Sequence, residues 1–208
     1  MNGEISPTGS RAEISYSTEV KRKLVHLSSL WLPLAIWYLP NQVAALVLGI
    51  VLLGSLAVDL LRYVLPGNTR GWRHLAALFR PKEQGKLSGS SFLLLAAFFL
   101  ALFFSREVAA LSLIYIVVGD VASALMGRRF GRHPLFDKTW EGSAAFLLAC
   151  VIFSLLVPGL PFWERLAAAA VAAILEVLPV KLDDNLTVPL GTACFLTLLT
   201  WLTAKSVL

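Results

Sequence analysis

Apolar runs close to membrane-crossing length alternate along this chain with short polar gaps, and the gaps are very unequal in charge. A helix needs about 20 apolar residues to span the hydrocarbon layer, with a range near 17–25. Seven runs approach or meet that length: Leu24–Leu39, Val43–Leu61, Gly89–Phe104, Val108–Met126, Ser143–Val157, Phe162–Leu178 and Leu186–Leu202. The first, third and fifth are the shortest. Hydrophobic residues make up 57% of the 208-residue chain, against about 45–50% in ordinary soluble domains. The expected fold is all-α: a polytopic membrane bundle of about seven spans within residues 19–208. Residues 1–18 are polar, carry no cleavable-signal pattern and are expected to be flexible.

Threading seven spans from a cytoplasmic N-terminus sorts the basic residues sharply. Inside fall Arg11, Lys21, Arg22, Lys23, Arg62, Arg70, Arg73, Arg80, Lys82, Lys86, Arg128, Arg129, Arg132, Lys138 and Lys181. Outside fall only Arg106, Arg165 and Lys205, which completes the 18 Lys and Arg. Such a bias sets orientation. The outer links are also minimal, so the working loops 62–88, 128–142 and 179–186 are expected on the cytoplasmic side. The net charge of +5 reflects this topology and contact with anionic lipid, or a phosphate-bearing substrate. Nucleic acid is excluded as a partner, because the basic residues lie at membrane edges with no soluble domain behind them. Cys150 and Cys194 lie inside apolar runs, which disfavours a disulfide or a thiolate metal site.

A charged side chain at membrane depth costs about 2.5–3.5 kcal/mol on insertion scales, so it marks function by default. Asp120 and Glu176 are the clearest cases. Around them stand five polar clusters. Glu19, Arg22, Lys23 and His26 fall at i, i+3, i+4 and i+7, one face of a helix. Arg22 and Lys23 there read as phosphate ligands or as a positive-inside anchor, and His26 as a packing histidine. In the loop after the second run, Asp59 and Arg62 read as a local ion pair and Gly71–Phe79 as a short interfacial helix. Ser88 and Gly89 either cradle phosphate or simply start a helix.

Gly119, Asp120, Ser123 and Gly127 form the sharpest cluster. Asp120, Ser123 and Gly127 share a face, and the small residues admit a second helix or a ligand. Lys138 supplies a compact charge suited to polyphosphate, with Glu141 to orient it or to bind a metal. Asp183, Asp184 and Asn185 offer the hard oxygen donors that Mg²⁺ prefers, or else cap a turn. Carboxylates, cations and glycines gathered at one side suit phosphoryl or nucleotidyl transfer. No Walker-type loop and no protein-kinase catalytic loop is present.

The order of these motifs is Glu19-x-x-Arg22-Lys23-x-x-His26, Leu87-Ser88-Gly89, Gly119-Asp120-x-Ala122-Ser123, Lys138-x-x-Glu141-Gly142, Glu176 and Asp183-Asp184-Asn185-Leu186-Thr187-x-Pro189. It resembles the CTP-dependent lipid kinase family of dolichol kinases, phytol kinases and fungal CTP-dependent diacylglycerol kinases. The match runs from about Glu19 to Pro189. The stretches at 127–131 and 138–142 are also similar to phosphatidate cytidylyltransferases, whose C-terminal signature is longer than the one found here. The resemblance implies CTP as donor, Mg²⁺ as cofactor and a polyprenol, phytol or diacylglycerol hydroxyl as acceptor.

On that reading Asp120, Asp183 and Asp184 hold the metal. Arg22, Lys23, Ser88, Gly89, Gly119, Gly127, Lys138 and Asn185 bind nucleotide and phosphate, and Asp120, Lys138, Glu141 and Glu176 serve catalysis. The rival expectations are a cytidylyltransferase that makes a CDP-lipid, and a small transporter. Transporters commonly carry inverted repeats, and no repeat is apparent here. Which lipid alcohol is used, and the oligomeric state, are open at this level.

Overall fold

The computed structural model describes residues 16–64 and 87–206. Its helices are α1 (Tyr16–Ser28), α2 (Trp31–Tyr38), α3 (Asn41–Val64), α4 (Gly89–Phe103), α5 (Arg106–Phe130), α6 (Trp140–Ser154), α7 (Phe162–Val177) and α8 (Asp184–Ser206). A small antiparallel hairpin, β1 (Pro134–Leu135) and β2 (Lys138–Thr139), stands between α5 and α6. The all-α expectation holds apart from that hairpin. The interfacial helix expected over Gly71–Phe79 lies outside the described residues, as do the loop cations from Arg70 to Lys86.

Three helices, α3, α5 and α8, are each long and apolar enough to cross a membrane. The helices α4 and α6 are apolar but have 15 residues each. The first expected span is not one helix. It divides at Ser29–Leu30 into the end of α1 and the short α2. Ser28 turns its hydroxyl back onto the Val25 carbonyl at the break. Pro33 falls in the first turn of α2, where a missing N–H leaves no intrahelical bond unmade.

The helix α5 is the centre of the bundle. Of its apolar window 67% is buried, against 28% for α3 and for α8. It packs chiefly on α6 and also meets α1, α2, α7 and α8. Glycine allows that close approach: a Cβ on Gly119 would stand 2.5 Å from the Phe146 ring. Leu111, Ile116 and Val117 of α5 join Phe146, Ala168, Ala172 and Leu196 in one core. The outward face of α3 is aliphatic and exposed at Leu46, Ile50, Leu53 and Leu60. A surface of that kind is matched to lipid rather than water.

Polar side chains collect at the two ends. At one end Arg165 donates to the carbonyls of Ser154 and Val157 (2.7 and 3.0 Å), closing off the end of α6. There too Thr203 donates to the buried Glu164 at 2.9 Å. The other end holds nearly every residue singled out from the sequence.

Candidate functional site

Helix α1 brings its polar face against α5. Lys23 is buried, and its ammonium donates to Asp120 Oδ2 at 2.5 Å. One turn on, His26 Nε2 stands 3.5 Å from the same oxygen. Glu19 is buried and receives Arg22 at 2.6 Å, with Arg128 at 3.9 Å. The helical spacing read from the sequence therefore does place Lys23 and His26 on Asp120. It does not give Arg22 the same role, because Arg22 reaches Glu19 first.

From Asp120 the polar chain continues along α5. Ser123, one turn further, donates to Glu176 Oε1 at 2.9 Å. Glu176 comes from the end of α7 and is buried. Lys138 stands 2.7 Å from the same carboxylate and donates to Asp184 at 2.8 Å. Five separate segments thus converge: α1, α5, the hairpin, α7 and the start of α8. Burial alone would lower the Lys138 pKa, but Asp184 and Glu176 outweigh it and hold the ammonium above its ordinary value. Lys138 is therefore a fixed positive charge at any physiological pH.

The hairpin sets the position of Lys138. Its two-residue turn puts Phe136 at φ 51°, a left-handed conformation that costs a non-glycine residue roughly 1–2 kcal/mol. Flanking bonds hold it there. Trp140 N–H reaches the His133 carbonyl at 3.0 Å, and Thr139 caps α6 by accepting from Gly142 N–H at 3.1 Å. Strain of this kind is kept where surrounding structure over-determines it, often at sites.

The structure gives several of the expected residues other partners. Glu141 does not orient Lys138: its carboxylate meets His133 Nδ1 at 2.7 Å on the exposed side. Lys138 lies on a strand and Glu141 in a helix, so helical i,i+3 spacing does not apply between them. Gly119 and Gly127 both sit in close packing contacts. Gly119 faces Phe146, and a Cβ on Gly127 would come within 3.0 Å of Thr139 Oγ1. Ser88 caps α4 and donates to Asp59 at 3.0 Å, as its own N–H does at 2.9 Å. Asp59 also receives Ser91 and Arg62 at 2.7 Å each. Ser88 and Gly89 therefore belong to a joint between α3 and α4. Asp183 accepts from both the backbone and the side chain of Asn185 (3.0 and 2.8 Å), the capped-turn arrangement at the start of α8.

Asp120, held by Lys23, and Asp184, held by Lys138, are the carboxylates at the two sides of the charged cluster. Glu176 Oε2 is buried without a hydrogen-bond partner. Among the described residues no three His, Cys, Asp or Glu side chains converge as a metal cage. Magnesium commonly takes only one or two carboxylates and completes its shell with phosphate oxygens and water. Asp120 and Asp184 fit a metal carried in by a polyphosphate, not one held by protein alone.

The chain is similar to several named lipid kinases. A phytol kinase of Synechocystis is 30% identical over 189 residues, covering 84% of this chain and 77% of that protein. The CTP-dependent diacylglycerol kinase 1 of Schizosaccharomyces pombe is 25% identical over 203 residues, 87% of this chain and 93% of that one. A probable chloroplastic phytol kinase of Zea mays is 32% identical over 194 residues, 83% and 64%. No family model matches the chain, and no solved structure does. Apolar crossing helices, a cation–carboxylate cluster at one end and these relatives define an integral membrane protein of the lipid kinase class. The chain belongs to the CTP-dependent lipid kinase family, together with phytol kinases and CTP-dependent diacylglycerol kinases.

Proposed function

We propose that this protein transfers the γ-phosphate of CTP to the hydroxyl of a membrane lipid alcohol, with Mg²⁺ accompanying the nucleotide. The observation that carries the reading is the linked set Lys23–Asp120 and Ser123–Glu176–Lys138–Asp184. Phosphoryl transfer asks the protein mainly for positioning and charge neutralisation. Lys138 and Lys23 supply positive charge for the triphosphate, and Arg22 and Arg128 extend it along α1 and the end of α5. Asp120 accepts the proton of the lipid hydroxyl as that oxygen attacks the γ-phosphorus, and CDP leaves. Lys23 and His26 keep the Asp120 carboxylate aimed. Asp120 and Asp184 are the residues that would hold Mg²⁺, which would supply neutralisation of phosphate charge. Asn185 and Asp183 shape the turn that presents Asp184.

The same reading takes seven crossings, the first built from the end of α1 with α2, and puts the site at the cytoplasmic surface. The 15-to-3 division of basic residues supports that orientation. Cytidylyl transfer to a phospholipid is the chemical rival, and the products separate the two. Purified protein is incubated with Mg²⁺, lipid alcohol and CTP labelled at either the α or the γ position. Kinase action moves γ label into lipid and releases CDP. Release of pyrophosphate with α label in lipid would replace the kinase by a cytidylyltransferase.

A further inference from the structure

Beside the charged cluster stand large apolar side chains that the fold leaves uncovered. Phe136, at the hairpin turn, is 67% exposed, and Trp140, at the start of α6, is 60% exposed. Beyond the end of α7, Val180 and Leu182 are 48% and 57% exposed. These two projections flank one ammonium. The hairpin carries Lys138, and the segment between α7 and α8 leaves from Glu176 and returns at Asp184, both of which hold Lys138.

Phe136 is unfavourable to the isolated fold on two counts. Its φ of 51° suits glycine or asparagine far better than a bulky residue. Its ring then gains little burial within the chain. A contact outside the chain accounts for both.

The exposed faces of two helices lead to these projections. On α6, Trp140, Leu148, Ile152 and the capping Leu155 lie on one exposed stripe, at intervals that keep to one side of a helix. On α7, Trp163, Ala170, Ile174 and the capping Leu178 do the same, and the chain then runs into Val180 and Leu182. Continuous apolar stripes of this kind are matched to lipid. Trp140 and Leu178 therefore stand where the lipid-facing surface of each helix reaches the site end of the bundle. Tryptophan is enriched at that level, where hydrocarbon meets headgroups.

Charge on the same loops is mainly positive. Arg129, Arg132 and Lys181 are exposed, and neither Arg132 nor Lys181 has an ion-pair partner among the described residues. Asp137 is the exposed acid beside them, and Glu141 is held by His133.

We propose that the two projections form an anchor on an anionic membrane surface. Phe136, Trp140, Val180 and Leu182 sit in the headgroup layer of the leaflet at the site end of the bundle, as apolar side chains of interfacial segments do. Arg132 and Lys181 meet the phosphates of anionic phospholipids there. Lys138 is thereby held between two elements that are both fixed to the bilayer surface. The anchor is read from exposure, continuity and charge, and it stands whichever reaction the site performs.

The test is the environment of Trp140 in the full-length protein in nanodiscs. Its emission is the difference between wild type and Trp140→Phe. Phosphatidylcholine brominated near the top of its chains should quench that emission, and aqueous iodide should not. Replacing part of the lipid by phosphatidylglycerol should strengthen the quenching by brominated lipid, and high salt should cancel that gain. Arg132→Gln and Lys181→Gln should each reduce the effect of phosphatidylglycerol on the seated-to-unseated ratio by about fivefold, the scale for one cation near an anionic surface. Emission open to iodide and untouched by brominated lipid overturns the anchor, because the projections then face water. Emission shielded from both quenchers also overturns it, because protein, such as a second copy of the chain, then covers them. Quenching that ignores phosphatidylglycerol overturns the anionic partner and the proposal with it.

Discussion

Replacing Lys138 by Met tests whether the cluster is an electrostatic unit. Glu176 is only 2% exposed, and Lys138 is its charged neighbour at 2.7 Å. Removing one partner of a buried pair costs about 3–5 kcal/mol; the 26% exposure of Lys138 and the surviving Ser123 bond place this case nearer 2–3 kcal/mol. Asp184 adds little, being 39% exposed in its side chain and able to turn to water. For a chain of this size each kcal/mol moves Tm by about 2–4 °C, so Lys138→Met should fall by roughly 5–10 °C. Glu176→Gln keeps the shape, leaves Lys138 on Asp184 and should move Tm by no more than about 2 °C. The double variant removes both charges. It should recover at least half of the loss, giving a coupling of about 1–2 kcal/mol within the range for residues in one network. Detergent-solubilised protein followed by thermal unfolding and size-exclusion chromatography measures all four species. Turnover should stay lost in the double variant, because stability returns without the phosphate-binding cation. Strictly additive Tm changes, or a Lys138→Met as stable as wild type, would refute the coupled-pair account.

Other consequences are as direct. Glu141→Gln should lower turnover no more than about threefold, since its partner is His133 at the exposed side of the hairpin and surface substitutions are usually mild; a loss of a hundredfold in a steady-state assay would return Glu141 to the site. Gly119→Leu should destabilise by several kcal/mol or prevent folding, because its first carbon would stand 2.5 Å from the Phe146 ring, and overpacking of this kind is costly; Gly119→Leu with Phe146→Ala should recover monodisperse protein. Lys138 has its pKa raised in the folded state above an ordinary value of 10.5, so its contribution to stability is complete below that value and is lost as pH rises through the raised folded value. An alkaline fall in Tm that is present in wild type and absent in Lys138→Met would show this linkage.

Much of the helical layout was legible in hydropathy alone. The run Val43–Leu61 lies inside α3, Gly89–Phe104 ends one residue beyond α4, and Val108–Met126 lies inside α5. The split of the first run was not legible, because Ser28, Ser29 and Pro33 interrupt helical hydrogen bonding without interrupting hydropathy. The hairpin was missed for a related reason: strands of two residues carry no alternation to read. Within the site, i,i+3 spacing aligned Asp120 with Ser123 and Lys23 with His26. Pairings between segments were a different matter. Lys138 takes Glu176 and Asp184 from distant parts of the chain and passes over Glu141, three residues away. His26 was read as packing and turns out to stand on Asp120; its position one turn after Lys23 on the polar face was the available signal. At the glycines the sequence leaves two readings, because phosphate cradling and close helix packing both require the absence of a Cβ.

Asp120 carries the central claim, because it joins α1 to the cluster and faces the proposed acceptor hydroxyl. Asp120→Asn keeps the shape of the side chain and a hydrogen-bonding oxygen for Lys23. The decisive measurement is turnover per folded molecule: γ-labelled phosphate transferred to lipid alcohol, divided by the monodisperse fraction of the same preparation. The account predicts a largely monodisperse variant with turnover reduced by about 10² or more, the scale of a lost general base. A monodisperse Asp120→Asn that transfers phosphate near the wild-type rate would contradict it.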